Sequence, residues 1–210
     1  KEREAARTAE KQAKAWMALG KTPEEIAALV DAQRKADEEK AVKGSDTQAF
    51  GNPLRLRRAL DAGVKVVVAH CASLGDDLDD DGKARPSFEL FLRLMAEPRA
   101  KGLLHGDISA ITQRNRKPAL IRTLLERGDL HDRLLYGSDY PLPGIVPLTS
   151  STAMARDGLL PKAAVSDLDI LRQHNPLLFD FTLKRLLNWQ GHSFSPAVFN
   201  TRRLFAASQA

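Results

Sequence analysis

The first 43 residues alternate apolar and polar positions with the period of an α-helix. Alanines recur at helical spacing from Ala6 to Ala13 in a stretch rich in Glu, Lys and Arg. Gly20 can end this helix, and the hydroxyl of Thr22, followed by proline and two acids, can start a second one. The pattern predicts a helical hairpin over residues 1–43, which either packs on its own domain or serves as an arm that binds a partner.

After residue 44, short apolar runs alternate with amphipathic helical stretches. The runs lie at 64–69, 102–108 and 133–136. Helical periodicity fills the intervals and begins near Pro86 and Pro118. Strand and helix in this alternation predict parallel strands joined by right-handed crossovers, and hence an α/β domain over residues 44–210. From residue 148 onward the pattern shows no clear strand and predicts a helical carboxyl-terminal region.

Composition and charge narrow the classes of partner. With 210 residues and 43% hydrophobic content, the chain is long enough to bury a sizeable core. A net charge of +5 raises the question of nucleic acid, since Lys and Arg neutralise phosphates. However, basic residues are interleaved with acids, and only two Tyr and two Trp are available for stacking on bases. We therefore expect no binding to nucleic acid.

The distribution of apolar residues and the single cysteine indicate where in the cell the protein is located. No run approaches the roughly 18 consecutive apolar residues of a membrane span, and none near the first residues resembles a signal peptide. The one cysteine, Cys71, excludes an intramolecular disulfide and is interpreted as a packing residue. We expect no membrane association and a cytoplasmic location.

Polar side chains follow the predicted strands at their carboxyl ends. His70 ends the first strand, Asp107 and Ser109 lie near the end of the second, and Asp139 follows the third. Because the carboxyl ends of parallel strands meet at one edge of a sheet, the imidazole and the carboxylates can form a metal or acid–base site. The alternative is that His70 is a satisfied buried histidine and that Asp139 holds an ordinary turn.

Two other polar segments have less specific patterns. The aspartate-rich segment 76–81 lacks the ligand spacing of a calcium-binding loop and is interpreted as a hydrated surface loop. Arg114 and Arg116 could hold a substrate carboxylate by bidentate contact, although solvation at the surface is the favoured interpretation.

Four segments, taken together, resemble the amidohydrolase-related metal-dependent hydrolases. They are Val-Val-Val-Ala-His-Cys-Ala-Ser-Leu-Gly at 66–75, Asp-Ile-Ser-Ala at 107–110, Leu-Leu-Tyr-Gly-Ser-Asp-Tyr-Pro-Leu-Pro at 134–143 and Asn-Pro-Leu-Leu-Phe-Asp-Phe at 175–181. The resemblance covers roughly residues 51–205. It implies a partial (β/α)8 TIM barrel, made of the last three strands and their helices.

The resemblance also implies roles for individual residues. His70 matches a histidine that contacts a metal or orients the attacking water, and Asp139 matches an aspartate that binds the metal and relays a proton. Asp107, Ser109 and Tyr140 are the expected substrate-binding residues beside them. The implied cofactor is a divalent metal ion, and Zn²⁺ is the first candidate. The implied activity is hydrolysis of a C–N or C–O bond in a small molecule, or a decarboxylation.

The chain departs from the family at the remaining metal ligands. The family takes further ligands from a His-x-His and from a histidine on two earlier strands, and this chain has neither. We therefore expect a carboxyl-terminal half of a family member, whose open sheet is completed by a missing half or by a homo-oligomer. The alternative function is a non-catalytic remnant whose helical hairpin mediates self-association or partner binding.

Overall fold

The computed structural model describes residues 51–145 and 148–205, together with Thr22. Apart from Thr22, these residues belong to a unit that begins at Gly51. The predicted hairpin over residues 1–43 lies outside the described residues. In the described part, no helix combines the length and the apolar character that crossing a bilayer requires.

Short strands and helices alternate along this unit. In chain order the strands are β1 (Val66–Val68), β2 (Asp76–Leu78), β3 (Ala84–Pro86), β4 (Leu104–Asp107), β5 (Leu134–Leu135), β6 (Asn188–Trp189) and β7 (His192–Ser193). The helices are α1 (Arg57–Asp61), α2 (Ser87–Ala96), α3 (Pro118–Glu126), α4 (Ser151–Arg156), α5 (Ala164–His174), α6 (Pro176–Leu186), α7 (Pro196–Phe199) and α8 (Arg202–Phe205).

The three predicted strands form one parallel sheet in the order β1-β4-β5. Val66 pairs with Leu104 and Gly106 pairs with Leu134. A side chain at Gly106 would lie 2.7 Å from Phe91 Cζ and 2.8 Å from Cys71 Sγ, so glycine lets α2 pack closely on the central strand. The prediction of parallel strands with helical crossovers is confirmed.

The crossover helices α2 and α3 each bury one apolar stripe in the hydrophobic core. The buried residues are Leu90, Phe91, Leu94 and Met95 on α2, and Leu120, Ile121, Leu124 and Leu125 on α3. Their spacing of three and four residues is the helical period on which the sequence-based prediction rested. Burial of each such side chain stabilises the fold by about 1.5–3 kcal/mol. Cys71 is fully buried, which confirms its interpretation as a packing residue.

The expected partial (β/α)8 TIM barrel is wrong for the described residues. They form a mixed α/β unit with one three-stranded parallel sheet and two small antiparallel sheets. Barrel closure needs many tilted strands that pair edge to edge, whereas this sheet has strands of three, four and two residues. The outer edge of β5 is occupied by the α7 segment, through a hydrogen bond of 2.7 Å from Tyr136 N to Val198 O.

Two antiparallel hairpins were not expected. Strands β2 and β3 flank the aspartate-rich segment, and β6 and β7 lie in the region predicted to be helical throughout. Interpretation of residues 76–81 as a hydrated loop is wrong at Asp79, which is 8% exposed. Its Oδ2 lies 2.6 Å from Arg85 Nε and 2.6 Å from Arg93 Nη1. Two arginines therefore neutralise this carboxylate between the hairpin and α2.

A left-handed turn ends β1. His70, Cys71 and Ala72 have φ angles of 54°, 52° and 50°. This conformation costs about 1–2 kcal/mol for each L-residue, so the turn needs compensating contacts. They come from β4, because Asp107 Oδ1 accepts from His70 N at 3.0 Å and Asp107 O accepts from Cys71 Sγ at 3.1 Å.

A buried ammonium group joins α6 to the sheet. Lys184 Nζ lies 2.6 Å from Ser109 O, 2.9 Å from Gly137 O and 2.7 Å from Asp180 Oδ2. Three acceptors use all three protons of an ammonium, so Lys184 is charged. Burial lowers the pKa of Lys184 and raises the pKa of Asp180 to about 6, and the ion pair opposes both effects. The lysine ties together the segments that leave β4 and β5.

We expect Ala72→Gly to raise the free energy of unfolding by about 1 kcal/mol, because glycine adopts a positive φ without the penalty of a Cβ. Urea denaturation measures the change. Ala119→Gly is the matched control, since Ala119 is an exposed helical residue and its replacement should cost about 0.5–1 kcal/mol. A loss of stability in both variants would contradict the left-handed turn.

We expect Lys184→Met to lower the free energy of unfolding by about 3–5 kcal/mol, because Asp180 is left buried without its cation. The folded-state pKa of Asp180 then lies above its unfolded value of about 4, so stability falls as pH rises through that folded pKa. The deficit in urea denaturation should be larger at pH 8 than at pH 5.

The exposed Lys162 offers the control, and Lys162→Met should change stability by less than about 0.5 kcal/mol. A deficit for Lys184→Met that is the same at both pH values would argue against the buried ion pair.

Candidate functional site

The carboxyl ends of the three parallel strands carry the polar residues singled out in the sequence. His70 follows β1, Asp107 ends β4 with Ser109 two residues later, and Asp139 follows β5. We call these four residues the rim. The exits of β4 and β5 lie close together, since a Cβ on Gly137 would be 3.1 Å from Ser109 Cβ.

Asp107, Ser109 and His70 form a hydrogen-bonded chain. Asp107 Oδ1 accepts from the Ser109 hydroxyl and, at 2.9 Å, from Ser109 N. Ser109 Oγ lies 2.6 Å from His70 Nδ1. Because the single hydroxyl proton of Ser109 is donated to Asp107, Nδ1 of His70 must carry the proton of that contact. In neutral His70 the lone pair is then on Nε2.

The carboxylate of Asp107 is held ionised. Burial by itself would raise its pKa, but hydrogen bonds from His70 and Ser109 outweigh burial and hold the pKa at about 2. The His70 and Asp107 side chains are 32% and 22% exposed, so solvent reaches the imidazole while the carboxylate is partly covered. Asp107 therefore orients Ser109 and, through it, His70.

Asp139 is placed by the loop that follows β4. Its φ is 58°, and its Oδ2 accepts from Gln113 Nε2 at 3.0 Å. Gln113 is 7% exposed and forms an isolated β-bridge with Thr149. Sequence analysis missed Gln113, because a glutamine in a basic loop has no pattern that indicates burial. Tyr140 is 63% exposed, and its role in substrate binding stays a prediction.

Arg116 lies in the same loop and is held at its Nε. That atom donates to Ser73 Oγ at 2.8 Å, and Ser73 N donates to His70 O at 3.0 Å. Burial lowers the pKa of Arg116, and the charge of Asp139 opposes the shift. Arg116 is therefore half-buried and not fully solvated, whereas Arg114 is exposed as expected.

A cavity lies beside Ser73. This serine lines a cavity of about 380 Å³ between α2 and α3, with Leu74, Phe88 and Leu120 in its wall. The acids Asp76 and Glu89 also lie on it. Cavities of about 370 and 210 Å³ lie elsewhere, around Arg172 and His105.

The described residues do not fit a zinc ion. Structural and catalytic zinc sites use three or four protein ligands, and His70 and Asp139 supply two at most. Within residues 51–145 and 148–205, no group of three His, Cys, Asp or Glu side chains could hold a metal ion. Nδ1 of His70 is moreover engaged by Ser109.

Comparisons of the chain with protein-family models, curated proteins and solved structures gave no match.

Proposed function

We propose that the rim is an acid–base site that hydrolyses a C–N or C–O bond in a small molecule, with His70 as the general base. The observation that carries this proposal is the hydrogen-bonded chain from Asp107 through Ser109 to His70. It orients an imidazole whose Nε2 lone pair is free to accept a proton. Resemblance of the four segments to amidohydrolase-related hydrolases supports the same class of reaction.

His70 both accepts and returns the proton that moves in the proposed reaction. Nε2 takes a proton from a water molecule as its oxygen bonds to the carbon of the scissile bond, and it returns the proton to the leaving nitrogen or oxygen as that bond breaks. The charge of the imidazolium is stabilised by Ser109 and the Asp107 carboxylate. A decarboxylation would use the imidazolium to protonate the carbon that loses CO₂, and product analysis separates the two reactions.

A small-molecule substrate is part of the proposal, and binding to nucleic acid is not expected because basic residues are interleaved with acids along the chain. A cytoplasmic location is part of the proposal, since the single cysteine, fully buried, suits a reducing compartment. Metal dependence, which the resemblance implies, stays a prediction, and its further ligands would have to come from outside the described residues.

We expect His70→Ala to lower kcat/KM by about 100- to 10,000-fold on any small amide, lactone or ester that the wild-type chain hydrolyses, because the general base is lost. Ser109→Ala should lower it by about tenfold through a disoriented imidazole, and Ser109→Thr, which keeps the hydroxyl, should retain most of the activity. His174→Ala removes an exposed histidine and is the control.

Equal activity of wild type and His70→Ala would end the acid–base proposal. The same proteins give a second readout, which is their zinc content after purification. The metal-dependent version predicts one zinc ion per chain that both His70→Ala and Asp139→Asn lose. A wild-type chain that is active without a bound ion contradicts that version and leaves the acid–base proposal standing.

A second candidate function is a non-catalytic chain that self-associates. The observation that favours it is the uncovered side of β1. Val66 and Val68 pack against the core, whereas Val67 is 41% exposed and Val64 is 49% exposed. Parallel sheets are normally covered on both faces, and β1 has no outer neighbour among the described strands. A second copy of the chain would cover this face.

We expect Val67→Lys to shift a self-associated wild-type chain toward a folded monomer, because the lysine charge opposes burial of the face. Sedimentation velocity at several concentrations measures the shift. Ile170→Lys, at a 53% exposed position on α5, is the control and should leave the oligomer intact. A wild-type chain that is monomeric at all concentrations would eliminate this candidate.

A further inference from the structure

We infer that a basic cavity on the parallel sheet binds a phosphate group. Lys65, His105, Asp132 and Arg203 line this cavity, which has a volume of about 210 Å³. It is smaller than the cavities that take drug-sized ligands and suits one phosphate or sulfate group. Lys65 precedes β1, whereas the rim follows the carboxyl ends of the strands, so the basic cavity is a site additional to the rim.

The first feature that carries the inference is the convergence of basic side chains on one face of the sheet. Val67 of β1 pairs with His105 of β4, and Lys65 lies two residues before Val67. Because side chains alternate along a strand, Lys65 and His105 are directed to the same face. This face is turned away from α2, since the neighbouring Gly106 is the residue that packs against Phe91.

Arg203 of α8 reaches the same cavity from the β5 side. Its Nη2 donates to the carbonyl of Leu134 on β5 at 3.4 Å and to the carbonyl of His131 at 3.3 Å. Lys65 and Arg203 both act on the imidazole of His105 through their positive charges. Side chains from three elements therefore bring basic groups to one small cavity.

The second feature is positive charge that is weakly compensated. Lys65 is exposed and has no ion-pair partner among the described residues. Asp132 Oδ1 lies 3.4 Å from Arg203 Nη1, and the Asp132 side chain is 85% exposed. An ion pair this exposed is screened by water and offsets little of the arginine charge. The basic cavity therefore has a positive potential that favours an anion.

The third feature is a histidine that can add a charged donor. His105 Nδ1 lies 3.3 Å from the carbonyl of Leu103, which can only accept, so Nδ1 carries the proton of the neutral ring. Burial lowers the pKa of His105, and the charges of Lys65, Arg203 and Arg133 lower it further. A bound anion opposes those charges. Binding should therefore be coupled to uptake of a proton at Nε2.

The arrangement of donors favours phosphate over a carboxylate. A carboxylate is bound best by the planar fork of an arginine, whereas lysine binds phosphate as a point charge. Here both terminal nitrogens of Arg203 are already engaged by Asp132 and by carbonyls. Lys65, His105 and the remaining Nε of Arg203 can instead donate separately to different oxygens of a tetrahedral group.

Sulfate is the first probe, because it remains a dianion over the pH range used. In isothermal titration, the full-length wild-type chain should bind sulfate at least about threefold more tightly at pH 5 than at pH 8, since protonated His105 adds a charged donor. By linkage, sulfate should raise the pKa of His105, which NMR of its ring protons measures. His105→Gln should abolish the pH dependence, and His174→Gln, at an exposed histidine, should keep it.

Lys65→Met tests the permanent charge. It should weaken sulfate binding by about tenfold at both pH values, because a charged donor is lost. Lys65 is exposed, so the variant should fold. Lys162→Met removes another exposed lysine and should leave the affinity unchanged. Acetate should bind the wild-type chain at least about tenfold more weakly than sulfate.

A wild-type chain that binds neither sulfate nor phosphate with a Kd below about 10 mM would overturn the inference. Equal affinity of Lys65→Met and the wild type for sulfate would also overturn it, as would binding of acetate as tight as that of sulfate. An affinity that is the same at pH 5 and pH 8, with unchanged titration of His105, would argue against the site as well.

Inorganic phosphate and glycerol 3-phosphate distinguish two sources of the same group. Tighter binding of inorganic phosphate supports a site for the free anion, and tighter binding of glycerol 3-phosphate supports a site for the phosphate group of a larger molecule. His70→Ala should bind both probes as the wild type does, because His70 belongs to the rim. The basic cavity therefore stands or falls independently of the proposed hydrolase.

Discussion

The described unit depends on one buried positive charge. Lys184 is fully buried, and its ammonium group donates to the carbonyls of Ser109 and Gly137 and to the carboxylate of Asp180. The two carbonyls belong to segments that leave neighbouring strands, and the carboxylate belongs to the same helix as the lysine. If any one of these groups is removed, a buried charge or carbonyl loses its hydrogen bond, and no water can reach the position to supply a new one. Helix α6 and the ends of β4 and β5 are therefore held in one arrangement.

Backbone strain and polar contacts meet at the rim. His70 and Asp139 both have positive φ angles, which L-residues adopt only when surrounding contacts compensate. At His70, the backbone N–H and the ring Nδ1 are held by Asp107 and Ser109. The hydrogen bonds that offset the strain are thus the ones that would orient a catalytic imidazole. Strain at this position and a defined direction for Nε2 have the same structural cause.

Local patterns accounted for much of the fold. Short apolar runs located the parallel strands, and a period of three to four residues located helices α2 and α3, because both patterns reflect which faces of an element are buried. The barrel was wrong because closure depends on the number and tilt of all strands, and the expectation came from the resemblance and not from periodicity. The hairpins at β2–β3 and β6–β7 were missed because strands of two or three residues are too short to show alternation.

Along the chain, residue order alone placed His70, Asp107, Ser109 and Asp139 after strands that run in parallel, so their location at one edge followed from connectivity. It could not assign their partners. Asp180 and Lys184 are four residues apart on a helix, a spacing typical of an exposed ion pair, and packing of α6 against the strand exits buries them instead. Arg116 likewise belongs to a loop rich in basic residues, and the packed structure half-buries it beside Ser73. Burial and pairing of a charged side chain depend on residues that are distant in the chain. These residues come into contact only when the helices and strands pack together.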